Sequence, residues 1–501
     1  MKVLLIVVDA ASPRVLCPAL QTGRLRTLQR LAEAGTMHQR SVTIFPSITP
    51  AATTSIITGH YPVAHGIVGA SWLDEDRDEI AYYGDDFWVI AREGFGAFVR
   101  EFLIRLNGDR LKVPTLFEIV EGAGLRAACL NYLVFRGRTP HQVRMPGLLA
   151  MLPGMPHRET VMGPSMLSLG DFVEGGLTHP RVRGSRGVFH RFGMDDEATG
   201  ALLCALMERG LPDFTVAYFA DNDYRSHEVG PHDALPVLDR VDAMLGEAFD
   251  QGGGLERVLE DTCVLLTSDH GHCEVLADTK RAVVRLDAVL DGVPQAQLGN
   301  GWQEHDLITI CPNMRAAQIY LRRKSADLLE RVVSRLLPAP GVDQVLWHPR
   351  AGGLEEDAYV AASSRGRLTF RRVPDRPSSV RDAHGNTWSW TGEASVLDVR
   401  TDGTRVAFGD YPNAFERIAG ALDSHYAGDI WVTAKPGCEF EVPGGEAHAG
   451  GASHGALHAL DSLSPIVAAG GPVRWSLPEH IRSVDLAALC LDRLGLPGRP
   501  G

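Results

Sequence analysis

Residues 3–9 read VLLIVVD, an unbroken run of aliphatic residues that stops at Asp9. A strand without alternating polar residues is typical of a parallel sheet that helices cover on both faces. Similar runs recur at 214–219, 263–266 and 465–469, and helical patterns lie between them, for instance at 201–208 and 236–250. The sequence therefore predicts an α/β layered fold with a central, mostly parallel sheet flanked by helices.

Two glycines mark predicted helix ends. A helix at 25–34 is expected to stop at Gly35, and a helix at 51–58 is expected to stop at Gly59. Glycine is the usual residue at this position because it adopts the left-handed conformation without strain.

The segment 290–435 has a different pattern. A strand is predicted at 317–321, and Ser325 caps a following amphipathic helix. Short strands at 396–399 and 406–408 flank the turn pair Asp402-Gly403. The predicted domain division is an α/β core at 1–289, an α+β insertion or cap subdomain at 290–435, and the rest of the core at 436–501, which carries the last candidate metal-ligand histidine.

Composition narrows the class of protein. The chain has 501 residues, of which 45% are apolar, and a net charge of -13, which disfavours a nucleic-acid-binding surface. The apolar run at 3–8 is too short for a signal peptide or a membrane helix, and no membrane association is expected. The eight cysteines form no CxxC pair, so reduced thiols and a cytoplasmic location are predicted.

Three acids follow predicted buried strands. Asp9 and Asp269 end two of them, and Asp223 lies a few residues beyond a third. Because ligands bind at the carboxyl ends of strands in open parallel sheets, these acids are expected at one edge. Carboxylates gathered there would repel each other unless cations lay between them, so the pattern indicates bound metal ions.

Histidines accompany two of these acids. His227 follows Asp223 by four residues, and His270 follows Asp269 directly. Mixed carboxylate and imidazole ligation suits zinc, with manganese or iron as alternatives. Any one of these residues could instead be a helix cap or an ordinary core residue, but the combination favours a metal centre.

Thr49 precedes Pro50, a residue well suited to the first turn of a helix. A threonine at a helix N-terminus lies where free amides and the helix dipole favour an anion. An alkoxide there, beside a metal ion, is a plausible nucleophile. The alternative interpretation is that Thr49 is only a helix cap.

Three motifs carry a resemblance to a known family. They are FPSITPAATTSIITGHYPVAHG at 45–66, DYRSHEVGP at 223–231 and SDHG at 268–271. Together and in this order they resemble the alkaline phosphatase superfamily, within it the nucleotide pyrophosphatase/phosphodiesterase (type I phosphodiesterase) branch. The resemblance implies an alkaline phosphatase-like fold.

The resemblance also implies two metal ions and a ligand set. One ion would be bound by Asp9, Thr49, Asp269 and His270. The other would be bound by Asp223, His227 and a late histidine, assigned to His454 with His448 and His458 as fallbacks. In the implied mechanism Thr49 attacks phosphorus, and water hydrolyses the resulting phosphothreonine.

The sequence departs from the branch near the nucleophile. Ala52 stands where the branch has an Asn that holds the phosphoryl oxygen, and Ile48 stands where it has a Lys. Thr53 or a residue of the insertion is expected to supply the missing donor.

A few further residues have two interpretations each. His65 is interpreted as structural, and His272 as either a loop residue or a group behind the metal ligands. Arg136 and Arg138 are interpreted as a solvated loop, with an anion contact as the alternative. Trp388 and Trp390 share one strand face and would line either a binding wall or the core.

The predicted function is a metal-dependent hydrolase of phosphodiester or pyrophosphate bonds in a small molecule, with nucleotides among the candidates. The alternatives are a phosphomonoesterase or phosphonoacetate hydrolase-like enzyme on the same fold, and an inactive metal-binding scaffold. Neither a P-loop nor a dinucleotide-binding glycine motif is present, so no nucleotide cofactor is expected.

Overall fold

The opening aliphatic run forms the strand Lys2–Val8, which is buried from Val3 onward. Its odd-numbered residues from Val3 to Val7 pack into one hydrophobic core, and its even-numbered residues from Leu4 to Val8 pack into another. The computed structural model describes residues 1–83, 95–144, 159–176, 193–296, 302–376, 379–441, 447–472 and 475–498. The central strand is therefore buried on both faces, as the sequence predicts.

This strand lies in the middle of a nine-stranded sheet. In spatial order the strands are Ile481–Arg482, Gly35–Val42, Leu463–Ala469, Thr262–Thr267, Lys2–Val8, Phe214–Phe219, Ala127–Leu130, Met166–Leu169 and Val173–Gly175. The run from Thr262–Thr267 to Met166–Leu169 is parallel throughout. The predicted α/β layered fold with a mostly parallel sheet is confirmed.

Helices cover both faces of the sheet. One face carries helices whose leucines and valines fill the core beneath the even-numbered side of the central strand. The helices of the first part of the chain are Pro13–Gln21, Arg26–Glu33, Thr49–Thr58, Pro62–His65, Phe95–Arg100, the π-helix Glu101–Arg110, and Leu116–Gly122. They continue with Asp196–Arg209, Asp221–Val229, Leu235–Gln251, Leu255–Asp261, Thr279–Ala282, Leu286–Val289, Ala459–Ser462 and Leu486–Arg493.

A second sheet has eight strands, and every neighbouring pair in it is antiparallel. In spatial order they are Ile308–Asn313, Ala316–Leu321, Ile430–Ala434, Val342–Trp347, Tyr359–Ser363, Gly366–Arg372, Thr387–Gly392 and Val380–Arg381. The helix Ala326–Leu336 packs on one face and the helix Ala414–Leu422 on the other. We propose 1–289, 290–435 and 436–501 as the domain division.

Short elements complete the described chain. The two-stranded pairs are Ser71–Asp74 with Glu79–Tyr82, Thr139–Gln142 with Thr160–Gly163, Cys273–Glu274 with Ala452–Ser453, Val283–Val284 with Glu439–Phe440, and Val399–Thr401 with Val406–Phe408. The 3₁₀ turns are Pro349–Gly352, Ala394–Leu397 and Ser483–Asp485.

Some predicted boundaries are confirmed and others are wrong. Ser325 caps its helix by accepting from the Leu328 amide, and Gly59 ends the helix Thr49–Thr58 in the left-handed conformation, both as predicted. Gly35 is not a helix cap, since Ala34 takes that position, but the first residue of a strand. A glycine is needed there because a Cβ would lie 2.1 Å from the Ala468 carbonyl oxygen. The strand predicted at 396–399 begins only at Val399, after a 3₁₀ turn.

The eight cysteines all carry free thiols, as predicted. Among the described residues, no helix is both long enough and apolar enough to cross a bilayer.

Candidate active site

Three acids meet where the central strands end. Asp9 directly follows the strand Lys2–Val8, and Asp269 lies two residues beyond its parallel neighbour Thr262–Thr267. Asp223 lies on the helix Asp221–Val229, which follows the next strand of the sheet. All three carboxylates are buried, with exposed fractions of 3%, 0% and 7% for Asp9, Asp269 and Asp223. The predicted gathering of acids at one sheet edge is therefore present.

Thr49 is the only partly exposed residue between Ile44 and Thr58. It is the first residue of the helix Thr49–Thr58, where the amides of the first turn lack carbonyl partners within the helix. Its Oγ1 lies 3.0 Å from Nε2 of His270. The Thr49 side chain is thus both accessible to a substrate and in contact with His270, which lies beside the buried acids.

One cluster surrounds Nε2 of His270. This nitrogen lies 3.5 Å from Oδ1 of Asp9 and 3.5 Å from Oδ2 of Asp269. The Nδ1–H group of His270 donates to the Gly271 carbonyl at 3.2 Å, so Nε2 carries the lone pair. Both facing carboxylate oxygens are buried and have no hydrogen-bond partner among the described residues. This set of converging acceptors fits a cation.

The other oxygens of the same carboxylates are held by the protein. The Tyr218 hydroxyl donates to Oδ2 of Asp9. Oδ1 of Asp269 accepts from the amides of Ala10 and His270, at 3.3 and 3.0 Å. Each carboxylate therefore keeps one oxygen directed at the cluster, as expected where surrounding hydrogen bonds orient metal ligands.

Burial raises the pKa of Asp9 well above its usual range, and the charges of Asp269 and Asp223 raise it further. The hydrogen bond from Tyr218 only partly offsets this rise. A cation at the cluster would stabilise the ionised form, since an opposite charge within a few ångströms favours it.

A second cluster contains Asp223, His227, His272 and His454, and one ligand atom of each lies within 4.8 Å of the others. His227 follows Asp223 by four residues and so lies on the same helix face. Its Nε2 is 3.4 Å from Oδ2 of Asp223, and Nε2 of His454 is 3.6 Å from Oδ1.

The imidazoles of His227 and His454 have their tautomers fixed by backbone carbonyls. Nδ1–H of His227 donates to Ala452 at 2.8 Å, and Nδ1–H of His454 donates to Ser47 at 2.9 Å. Their Nε2 atoms therefore present lone pairs, and that of His454 is buried without a hydrogen-bond partner among the described residues. Neutral imidazoles fixed in this way are common zinc ligands.

The surroundings of this second cluster favour an ionised Asp223 and neutral His272 and His454. Burial alone would raise the pKa of Asp223, but His227 and His272 lower it well below its usual range. Burial lowers the pKa of His272 to about 3 and lowers the pKa of His454 as well.

Of the three late histidines considered from sequence, His454 lies in the second cluster. His448 instead donates from Nδ1 to Glu439 at 2.8 Å and packs its ring on His227, with ring centroids 4.2 Å apart. His458 accepts from the Leu460 amide and caps the helix Ala459–Ser462.

His272 and Tyr218 are the two site residues that the sequence interpretation underestimated. His272 is not an exposed loop residue, because it is fully buried and its Nε2 lies 2.6 Å from Oδ1 of Asp223. Its position two residues after His270 is the signal that could have identified it. Tyr218 lies inside the buried strand Phe214–Phe219, which is mainly apolar, and gives no sequence signal of its own.

Ala52, which stands where the branch has an Asn, has apolar surroundings. Ala52 is fully buried and belongs to a small hydrophobic cluster with Ile44, Ile48 and Ala51. The Thr53 hydroxyl donates to the Thr49 carbonyl at 2.6 Å, so its hydrogen is already used within the helix.

His65, Arg136 and Trp388, which have two interpretations each from the sequence, make structural contacts. His65 is buried and contacts Ser55 at 2.9 Å. Arg136 is not in a solvated loop, because it pairs with Glu118 and donates to the carbonyls of Leu111 and Val113. Trp388 is a core residue that packs on Phe415 and donates to Asp382.

Comparisons with known proteins match the chain to one family and to several solved structures. The sequence model of the family described as type I phosphodiesterase / nucleotide pyrophosphatase matches residues 3–457. No curated protein matches the chain. The resemblance indicated by the three sequence motifs is therefore confirmed by the family match.

Solved structures share the fold. The phosphonoacetate hydrolase of Sinorhizobium meliloti 1021, in complex with phosphonoformate, has 16% identity and a TM-score of 0.58, over 99% of this chain and 96% of that one. Murine ectonucleotide pyrophosphatase / phosphodiesterase 5 has 14% identity and a TM-score of 0.57, over 100% and 96%. An inactive form of that murine protein was solved in complex with AMP. These likenesses show an alkaline phosphatase-like fold.

Proposed function

The chain belongs to the type I phosphodiesterase / nucleotide pyrophosphatase family, and from this premise we propose that it cleaves phosphodiester or pyrophosphate bonds of a small molecule with Thr49 as nucleophile. Phosphoric ester hydrolysis is the activity of the family. The proposal adds two divalent ions, zinc by preference with manganese or iron as alternatives, and nucleotides as the first candidate substrates.

The observation that carries the proposal is the set of buried, unpaired acceptors beside Thr49. Oδ1 of Asp9, Oδ2 of Asp269 and Nε2 of His454 have no hydrogen-bond partner among the described residues. Leaving such groups buried and unpaired is costly unless a cation binds them. Their mixture of oxygen and imidazole nitrogen donors matches zinc chemistry.

The residues present fit two ions. Asp9, Thr49, Asp269 and His270 would hold one, and Asp223, His227 and His454 would hold the other. The negative charges of the three carboxylates and of the Thr49 alkoxide would balance the positive charges of two divalent ions. When bound, the ions would supply Lewis-acid stabilisation of charge on the phosphoryl group and on the attacking and leaving oxygens.

The chain's own groups supply the rest of the reaction. The Thr49 hydroxyl lies 3.0 Å from Nε2 of His270, at the cluster proposed to hold the first ion, and the amides at the start of the helix Thr49–Thr58 favour an anionic phosphoryl group. The Thr49 Oγ1–phosphorus bond forms as the bond to the leaving oxygen breaks, and the hydroxyl proton passes to solvent. Water then cleaves the phosphothreonine and regenerates Thr49.

The two fully buried arginines among the described residues, Arg315 and Arg417, are both engaged in other contacts, which favours a diester over a monoester. A monoester carries an extra negative charge that a cationic side chain would have to balance. Arg315 is paired with Asp461, and Arg417 donates to the carbonyls of Ile44, Leu457 and Pro412. Both guanidinium groups are therefore already used in buried contacts.

A kinetic comparison tests the proposal. For the zinc-loaded enzyme, we expect kcat/KM to be higher for bis-p-nitrophenyl phosphate than for p-nitrophenyl phosphate. Thr49→Ala should abolish turnover of the diester, while Thr49→Ser, which keeps a hydroxyl, should retain part of it. A preference for the monoester would contradict the diester assignment, and full activity in Thr49→Ala would contradict the nucleophile.

A further inference from the structure

His272 is a member of the second cluster and is held in a fixed position. It is fully buried, and the strand that follows it, Cys273–Glu274, pairs with Ala452–Ser453. Its carbonyl accepts from Arg14 at 2.9 Å, and the preceding Gly271 amide donates to Asp461 at 2.8 Å. The imidazole is therefore anchored through its backbone on both sides.

The contact of His272 with Asp223 differs from those of the other two imidazoles. The distance from Nε2 of His272 to Oδ1 of Asp223 is 2.6 Å, a hydrogen-bond length. The corresponding distances from His227 and His454 are longer, at 3.4 and 3.6 Å. A gap between lone pairs and a carboxylate is what an ion would occupy.

The hydrogen positions support the same distinction. His227 and His454 use Nδ1–H for backbone carbonyls and present lone pairs at Nε2. Nδ1 of His272 has no hydrogen-bond partner among the described residues, whereas its Nε2 faces a carboxylate. A carboxylate accepts hydrogen bonds, so Nε2 of His272 carries the hydrogen.

We propose that His272 is a positioning residue of the second metal site, which donates to Oδ1 of Asp223 and so sets the affinity for that ion without binding it. The proposal rests on the metal-dependent function proposed above. Asp223 would otherwise be free to rotate about its terminal bond, because no other side-chain donor lies within hydrogen-bond distance of Oδ1 among the described residues. The competing role for His272 is that of a fourth ligand.

Zinc affinity, measured by competition with a chromophoric chelator, separates these roles. We expect His272→Ala to lower the zinc affinity of one of the two sites by roughly 10–100-fold, the usual effect of removing a hydrogen bond to a metal ligand. The affinity of the other site should stay unchanged. His272→Gln places an amide N–H near the position of Nε2 and should restore most of the affinity. His232→Ala removes a histidine that is 63% exposed, and should match the wild type.

Three results would overturn the proposal. If a folded His272→Ala variant bound zinc at both sites with unchanged affinity, the hydrogen bond would have no positioning effect. A His272→Gln variant as weak as His272→Ala would identify His272 as a ligand instead. Absence of tight zinc from the wild type would overturn the metal-dependent function as well, so failure of the two proposals can be told apart.

Discussion

Asp9 is a buried acid whose two oxygens have different surroundings. Oδ2 accepts from Tyr218, while Oδ1 faces Nε2 of His270 at 3.5 Å and has no hydrogen-bond partner among the described residues. Burial and the neighbouring acids raise the pKa of Asp9. Folding without metal therefore costs free energy at neutral pH, where the carboxyl is ionised in the unfolded chain.

The sign of the pH dependence follows from this shift. Between the unfolded pKa of about 3.9 and the raised folded pKa, the folded state binds more protons. The free energy of unfolding of the metal-free protein should therefore fall as pH rises through that window. Each unit of upward shift removes about 1.4 kcal/mol above the folded pKa.

Asp9→Asn should stabilise the metal-free protein at pH 7, because the amide removes the charge and still accepts from Tyr218. We expect a gain of about 1 kcal/mol or more, measured by urea unfolding in the presence of a chelator. With zinc present the order should reverse, since the variant loses a ligand. A metal-free variant less stable than the wild type would show that repulsion among the acids is not the dominant cost.

The acids of the site were predictable from sequence because strand ends are visible as the ends of apolar runs. Asp9, Asp223 and Asp269 gather as expected. Tyr218 was not predictable from this pattern, because it lies within a mainly apolar buried strand, where a tyrosine is usually a core residue. The absence of a donor at Ala52 was visible, but its apolar surroundings depend on packing from distant segments.

Among the elements, the helix Thr49–Thr58 shows how a Ser/Thr-rich stretch remains helical while fully buried apart from Thr49. The hydroxyls of Thr53, Thr54 and Thr58 each donate to a carbonyl four residues earlier at 2.6 Å, so none is left unpaired. This helix was predictable from its flanking Pro50 and Gly59. The role of Gly35 was not, because it depends on the approach of the Leu463–Ala469 strand.

The loop that carries His454 is attached to the second sheet by a buried ion pair. Arg315 lies between the first two strands of that sheet, and its Nη1 donates to Asp461 at 2.5 Å. The Arg315 amide donates to the His454 carbonyl, and Asp461 accepts from the Ala456 amide. Both side chains are fully buried. The segment 290–435 thus helps to fix the position of a candidate ligand.

Arg315→Met should destabilise the protein by about 3–5 kcal/mol, because Asp461 would remain as an unpaired buried charge. Zinc affinity should fall together with stability, as the His454 loop loses its anchor. The double variant Arg315→Met with Asp461→Asn removes both charges and should recover part of the loss in urea unfolding. Equal stability of wild type and single variant would contradict this account of the loop.

At the scale of the whole molecule, the two kinds of sheet follow from two kinds of sequence pattern. Unbroken aliphatic runs give the parallel strands of the nine-stranded sheet, whereas short strands separated by turn residues give the antiparallel second sheet. The order of strands within each sheet was not predictable, because strands distant in sequence, such as Thr262–Thr267 and Leu463–Ala469, become neighbours. The convergence of ligands from five segments of the chain depends on that order.

The central claim is that two ions lie beside Thr49, and diffraction from zinc-loaded crystals on either side of the zinc absorption edge tests it most directly. We predict two anomalous peaks for each chain. One should lie among Asp9, Thr49, Asp269 and His270, and the other among Asp223, His227 and His454. The absence of zinc from both positions, or a single ion elsewhere, would contradict the two-metal account and favour the inactive scaffold.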